Sequence, residues 1–379
     1  MTNPISEFLQ ERIDAGDFPS AVYLIAEKGF VVLQDALGFA VVQPERIEAR
    51  INTIYDLASL TKVLVTGLLI VKLIEDEKFQ LDGRVAVYLK EFDIEGKRTI
   101  TILDLLTHTS HLPAWRPFYL LVSDPAEVIN VIGKTPLNYD QDAVTYSDLN
   151  FVALSRLIEQ VTGKSLRDAA AEIIFGPLKL TDTSFNPSAN RRPRIAATES
   201  GNGYERQTCI EMGFLNSADK TPVATAPGSY PIRSEVIWGE AHDGNAYFMN
   251  GGAGHAGLFS TAEETFKIAQ QFLPNYTTLL KPETCELFRT NFTPDANEHR
   301  SFAFQLASTR DSTAGVAMSS ESFGHLGFTG TSLWIDPILE RVFILLTNRT
   351  HDHGLPFANI NRVRRQFHDL AIDLLDKNS

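Results

Sequence analysis

Cysteine is nearly missing from this chain. Cys209 and Cys285 are the only two in 379 residues, far apart in sequence, which leaves no basis for a disulfide framework or a cysteine-ligated zinc cluster. Long apolar runs are missing too. The longest, Val63 to Val71, is interrupted by Thr66 and Gly67, far short of the roughly 20 residues a membrane-spanning helix needs. Positive charge is in short supply, with 34 Lys and Arg against 47 Asp and Glu for a net charge of −13. No local basic patch offsets it, so neither nucleic acid nor an anionic membrane surface is expected as a partner. There is no internal repeat and no biased tract, and 44% hydrophobic with 21% charged residues describes an ordinary globular protein, not a disordered one. The first residues carry acids at Glu7, Glu11 and Asp14 where an export leader would carry basic and then apolar residues; as written, the chain is expected to be cytoplasmic.

What is present is a frame at the two ends. Ile5, Phe8, Leu9 and Ile13 share a helical face, and the apolar runs Ala21 to Ala26 and Val31 to Leu37 flank the turn Glu27-Lys28-Gly29, giving a helix and then a β-hairpin. At the other end Leu333 to Ile335 and Val342 to Thr347 bracket Asp336-Pro337, and Ile360, Val363, Phe367, Leu370 and Leu374 recur at helical spacing. The unbroken run Val342 to Leu346 suits a central strand covered on both faces, so both ends are expected in one sheet between helices. Residues from about Phe79 to Leu180 read as mainly helical, and from Thr181 to Asn250 proline and glycine accumulate in a stretch too long for an idle loop. The expectation is one α/β (α+β) domain over 1–379, with 1–78 and about 245–379 forming the frame and 79–244 a helical, loop-rich insertion.

Ser-x-x-Lys occurs twice, at Ser59–Lys62 and Ser217–Lys220. The second lies in polar loop sequence. The first opens the apolar helix that begins at Val63, where a first-turn lysine faces the positive end of the helix dipole and is costly to bury. Ser59 could be a simple N-cap. A nucleophilic serine, however, uses a lysine one turn along, because positions i and i+3 share a face. Burial and dipole would then lower the lysine pKa toward that of a general base. Tyr146-Ser147-Asp148 precedes a helix ending at Gly163, and taken alone it reads as a Ser147 N-cap with Tyr146 stapled onto Phe151. Gly324-His325-Leu326-Gly327-Phe328 sets a histidine among glycines before a strand, which permits close approach of backbone or ligand.

Together, Ser59-x-x-Lys62, Tyr146-x-Asp148 and His325-x-Gly327 in this order resemble the serine β-lactamases and penicillin-binding proteins, most of all the class C branch with its esterases and D-amino-acid peptidases. Leu105 to Ser110, Gly254 to Ser260 and Gly327 to Pro337 are similar to that branch as well. The resemblance implies an antiparallel sheet built from both chain ends with a helical insertion, and a serine hydrolase without metal or cofactor that forms an acyl-enzyme on esters, amides or short peptides. It further implies that Ser59 attacks, Lys62 and Tyr146 handle the proton, Asp148 orients Lys62, His325 and Gly327 line the substrate site, and the Phe328 N–H serves the oxyanion. Two departures stand out. Asp148 replaces an asparagine and should keep Lys62 charged, which shifts the base role to Tyr146 as a phenolate with its pKa lowered by that ammonium. His325 replaces a lysine and offers less fixed charge for a substrate carboxylate, so β-lactam turnover is expected to be weak and neutral substrates slightly favoured.

Three other readings compete. Gly252-Ala253-Gly254-His255-Ala256-Gly257 matches a dinucleotide fingerprint, which needs a strand before and a helix after it. The pairs His108/His111, His242-Asp243 and His351/His353 are the candidate metal clusters of a metal-dependent hydrolase, although His-Glu-x-x-His is missing, as is the Gly-x-Ser-x-Gly elbow of α/β-hydrolases. A binding or scaffolding protein on the same fold would be marked by loss of Ser59, Lys62 or Tyr146, and all three are present.

Overall fold

The computed structural model describes residues 3–139, 143–216 and 233–378. Among the described residues, ten strands form two sheets: β1 Ser20–Glu27, β2 Phe30–Val41, β3 Ile47–Glu48, β4 Tyr55–Asp56, β5 Ser184–Phe185, β6 Leu258–Ser260, β7 Gln305–Leu306, β8 Phe323–Leu326, β9 Ser332–Asp336 and β10 Arg341–Thr347. The larger sheet is antiparallel in the order β3-β2-β1-β10-β9-β8-β7. The first and last hairpins therefore meet at its centre, with Val22 opposite Leu346 and Leu24 opposite Ile344. Every residue of β10 is buried, as the run Val342 to Leu346 requires.

Alternation along the strands sorts the two faces. Tyr23, Ile25, Phe343 and Leu345 pack with Ile5 and Leu9 of the helix Pro4–Asp14 and with Val363 and Phe367 of the helix Asn361–Asn378. Val22, Leu24, Ile344 and Leu346 face the other way, onto Leu64, Leu68 and Leu69. Gly324 lies opposite Trp334 on β9, and a Cβ there would fall 2.2 Å from the indole, so this strand position requires glycine.

Between the two end segments lie the helices Ile102–Leu106, Val128–Lys134, Asp148–Thr162 and Leu166–Ala170. Thr101 and Asp104 form a capping box at the first, and Gly163 closes the third in a left-handed conformation, φ 66°. The second sheet, β4-β6-β5, joins residues just before Ser59 to residues just after Gly257. Among the described residues no helix is long and apolar enough to cross a membrane.

Candidate active site

The small sheet fixes the segment that delivers Ser59. The Leu57 N–H donates to Leu258 O at 2.9 Å, and Asp56 Oδ1 accepts the Ala58 N–H at 2.8 Å. Ala58 then turns left-handed, φ 47°, a conformation that costs a residue with a Cβ about 1–3 kcal/mol and persists where neighbours enforce it. Thr61 Oγ1 holds the turn by donating to Ala58 O at 2.6 Å. One π-helical stretch, Lys62–Gly67, follows before regular α-helix resumes over Leu68–Glu75; such stretches gather at functional sites.

Lys62 is fully buried. Its Nζ donates to Ser59 Oγ at 2.9 Å and to His255 O at 3.1 Å, and lies 2.7 Å from Asp148 Oδ1. The His255 carbonyl reaches it because Gly254 packs directly on the helix Asp148–Thr162, where a Cβ would meet Phe151 O at 2.0 Å. Burial works to lower the Lys62 pKa, but the Asp148 carboxylate and the Tyr146 hydroxyl more than reverse it, and the net shift is upward. The lowering expected from burial and dipole is thus overturned by a counter-charge, and Lys62 is an ammonium at neutral pH.

Tyr146 is brought to the same point. The Lys62 and Ser59 side chains both act on its hydroxyl to favour the ionised form, and its ring centroid is 4.8 Å from Lys62 Nζ. Burial raises its pKa more than the ammonium lowers it, so the expected phenolate is corrected to a neutral phenol at rest. The local reading of this motif also changes. Ser147 occupies the N-cap position without a side-chain cap; its hydroxyl donates instead to Pro113 O at 2.7 Å. His108 stands against both Tyr146 and Phe151, at 4.7 and 5.2 Å between ring centroids, in place of the staple. His108 Nδ1 accepts the Ser147 N–H at 3.0 Å, which fixes the loop carrying Tyr146. Burial, then the charges of Arg300 and Lys62, hold the His108 pKa well below its usual value.

His325 on β8 completes the wall, its ring 5.7 Å from that of Tyr146. Nδ1 lies 2.9 Å from Leu326 O and so carries the proton, while Nε2 is buried without a partner. Burial, with Lys62 and Arg300 nearby, drives its pKa well below 6.5. The reduced fixed charge expected at this position goes further than a lysine-to-histidine exchange implies: His325 is neutral at pH 7 and presents an acceptor, not a cation. Gly327 is required by close packing, since a Cβ would lie 2.0 Å from Thr331 Oγ1 and 2.5 Å from Leu57 O. Ser59, Tyr146, Asp148, His325, Gly327 and Phe328 all border one cavity of about 720 Å³, a size suited to a small molecule or short peptide.

Sequence reasoning missed several residues of this cavity. Glu205 and Asp243, from the loop-rich stretch, line it with Arg300. Glu205 accepts the Gly244 N–H at 2.7 Å and the Tyr119 hydroxyl at 2.9 Å; burial and then the neighbouring Asp243 push its pKa up to about 7. Donor atoms of Asp148, Asp243 and His255 lie within 4.8 Å of one another. The Lys62 ammonium already stands against Asp148, and His255 Nε2 is 2.9 Å from Asp243 Oδ1, so the chain supplies its own cation there. Only the adjacency of His242 to Asp243 and the Gly254-His255 pair hinted at this group.

The competing motifs sort by context. The second Ser-x-x-Lys, Ser217–Lys220, lies outside the described residues. The dinucleotide-like run follows a helix, Gly244–Phe248, and precedes a strand, β6, the reverse of what that fingerprint needs. His111 packs on Tyr139, and His351 Nε2 accepts the Val42 N–H at 2.8 Å.

A fold with a class C-like sheet, and a buried lysine between a serine and a tyrosine, defines a serine hydrolase of the β-lactamase and penicillin-binding protein type. The family model described as Beta-lactamase matches residues 5–366, and the chain belongs to that family. It is 32% identical over 377 residues to "Putative D-alanyl-D-alanine carboxypeptidase" of Escherichia coli (strain K12), covering 92% of this chain and 82% of the relative. Among solved structures, "EstCE1, a hydrolase with promiscuous acyltransferase activity" superposes with a TM-score of 0.72 at 21% identity, over 97% of both chains. A class C β-lactamase from Rhodobacter sphaeroides gives 0.71 at 17% identity, over 99% of this chain and 100% of the other. At these identities the superpositions establish the fold.

Proposed function

We propose that this enzyme hydrolyses amide or ester bonds of small substrates, short peptides ending in D-alanine foremost, through an acyl-enzyme on Ser59. The observation that carries this is the 2.9 Å contact of Lys62 Nζ with Ser59 Oγ, with the Tyr146 ring centroid 4.8 Å from the same nitrogen. Ser59 Oγ attacks the carbonyl carbon, and its proton passes to the Lys62–Tyr146 pair once that pair has lost one proton. The carbonyl oxygen gains charge and is met by the Ser59 and Phe328 N–H groups, a contribution of about 3–4 kcal/mol per donor in comparable sites. Tyr146, at the cavity wall, returns the proton to the leaving amine or alcohol, and water then resolves the acyl-enzyme by the same path in reverse.

The substrate assignment draws on the relatives' name and on the charges at the cavity. Neutral His325 accepts an N–H or O–H from the substrate, while the Arg300 guanidinium, ion-paired with Glu298 at the cavity wall and 5.6 Å from the Tyr146 ring centroid, offers its remaining N–H groups to a terminal carboxylate. Without a lysine at position 325, β-lactams are poor substrates. The test is release of D-alanine from an acyl-D-alanyl-D-alanine peptide beside turnover of p-nitrophenyl acetate. Both activities are expected, and both vanish in Ser59→Ala; D-alanine release that persists in Ser59→Ala overturns the proposal.

A further inference from the structure

Among the described residues, Arg364 is a buried guanidinium with no carboxylate for a partner. It projects from the helix Asn361–Asn378 to the edge of the cavity and is 5% exposed. Among the described residues its contacts are Asn361 Oδ1 at 2.9 Å from Nη1, and Gly327 O and Thr331 O at 3.0 and 2.9 Å from Nη2; Nε is buried without a partner. Burial and the neighbouring Arg349 pull its pKa down to about 9, so the charge is retained at neutral pH. Placing an uncompensated charge here costs stability, and packing alone would be served by an apolar side chain.

What Arg364 grips explains the charge. The Gly327 carbonyl and the Phe328 N–H belong to one planar trans peptide and point in opposite directions. A charged donor on the carbonyl therefore fixes the plane, aims the Phe328 N–H away from Arg364, and polarises that N–H as a donor. The second carbonyl it holds, Thr331 O, also accepts the Gly327 N–H at 2.8 Å, and Thr331 Oγ1 donates to Leu57 O at 3.0 Å, two residues before Ser59. Arg349 Nε pins the next carbonyl, Phe328 O, at 2.8 Å. We propose that Arg364 is a positioning residue for acyl transfer: by holding Gly327 O and Thr331 O it sets the direction and strength of the Phe328 N–H that receives the oxyanion. This rests on the acyl-enzyme reading above.

The test compares wild type, Arg364→Gln, Arg364→Lys and Ser59→Ala on p-nitrophenyl acetate and on a small alkylboronic acid. The boronic acid gains a bond from Ser59 Oγ, whose proton passes to the Lys62–Tyr146 pair, and becomes a tetrahedral anion resembling the intermediate. In Arg364→Gln the expected result is kcat lower by about 10–100-fold, KM within twofold, and boronate affinity weaker by the same factor as kcat. Arg364→Lys recovers only part of the loss, because a single ammonium does not reproduce the planar fork. Circular dichroism and melting establish that each variant is folded, and if Arg364→Gln is not, Arg364→Lys carries the comparison. Folded variants with wild-type kcat, or a fall in kcat with unchanged boronate affinity, overturn the role of Arg364. Boronate binding that is undiminished in Ser59→Ala overturns the nucleophile itself, a separate outcome that removes both proposals.

Discussion

The Lys62 ammonium and the Asp148 carboxylate lie 2.7 Å apart, with Ser59 Oγ 2.9 Å from the same nitrogen. That pair sets the pH dependence of the reaction. Asp148 raises the pKa of Lys62 and also that of Tyr146, and the active form must have lost one proton from these two groups. kcat/KM is therefore expected to rise with pH from neutral into the alkaline range. Asp148→Asn removes an upward influence on both groups, so the rising limb moves to lower pH. Profiles of both proteins on p-nitrophenyl acetate check this; a limb that stays in place, or moves to higher pH, contradicts it.

Arg300 separates carboxylate recognition from chemistry. His325 is neutral at pH 7, so under the proposed function Arg300, which borders the cavity beside its ion-pair partner Glu298, is the group expected to attract a substrate carboxylate. Arg300→Ala is expected to raise KM for an acyl-D-alanyl-D-alanine peptide about tenfold or more, the usual worth of a charge-assisted hydrogen bond. KM for neutral p-nitrophenyl acetate stays near wild type. Equal losses on both substrates would assign Arg300 to the support of Tyr146 instead.

Gly327→Ala tests the close approach of the strand end to the nucleophile segment. The added Cβ meets Leu57 backbone oxygen at 2.5 Å and Thr331 Oγ1 at 2.0 Å, so the two segments must part. Overpacking of this kind costs about 1–3 kcal/mol of stability, and a displaced Phe328 N–H lowers kcat about 100-fold. Urea unfolding and steady-state kinetics on the same preparation read the two effects.

Buried neutral histidines shape the acid limb of stability. Burial pushes His368 down to about 3, against the partial support of Thr313 O, whereas an unfolded chain protonates histidine near pH 6.5. A base with a depressed folded pKa contributes stability that is fully present above pH 6.5 and is lost as pH falls toward the folded value. The expected slope is about 1.4 kcal/mol per pH unit for each such histidine. Urea midpoints should fall between pH 7.5 and pH 5, and His368→Gln, less stable at pH 7.5, should fall less steeply.

Much of this architecture was legible because it rests on periodicity and spacing. Val342 to Leu346 has no polar residue, which requires cover on both faces, and Ser59 and Lys62 meet because i and i+3 share a helical face. The protonation states were not legible. Burial acts oppositely on a lysine and a tyrosine, and only the distance to Asp148 decides the sign for Lys62. Asp243 and His255 converge on Lys62 from nearly 200 residues away, and the part His255 plays at Lys62 is a backbone carbonyl, which no residue pattern reveals. Ala58 in a left-handed turn leaves no trace either, since alanine is the ordinary signal for helix. Arg364 reads as one basic residue on an amphipathic helix until its carbonyl partners are seen.

The central claim, that Ser59 is the acylated nucleophile, is tested most directly by treating the protein with a fluorophosphonate and locating the adduct by peptide mass spectrometry. The account predicts one adduct, on Ser59, absent from Ser59→Ala. An adduct elsewhere, or no adduct together with p-nitrophenyl acetate turnover that a chelator abolishes, would contradict it.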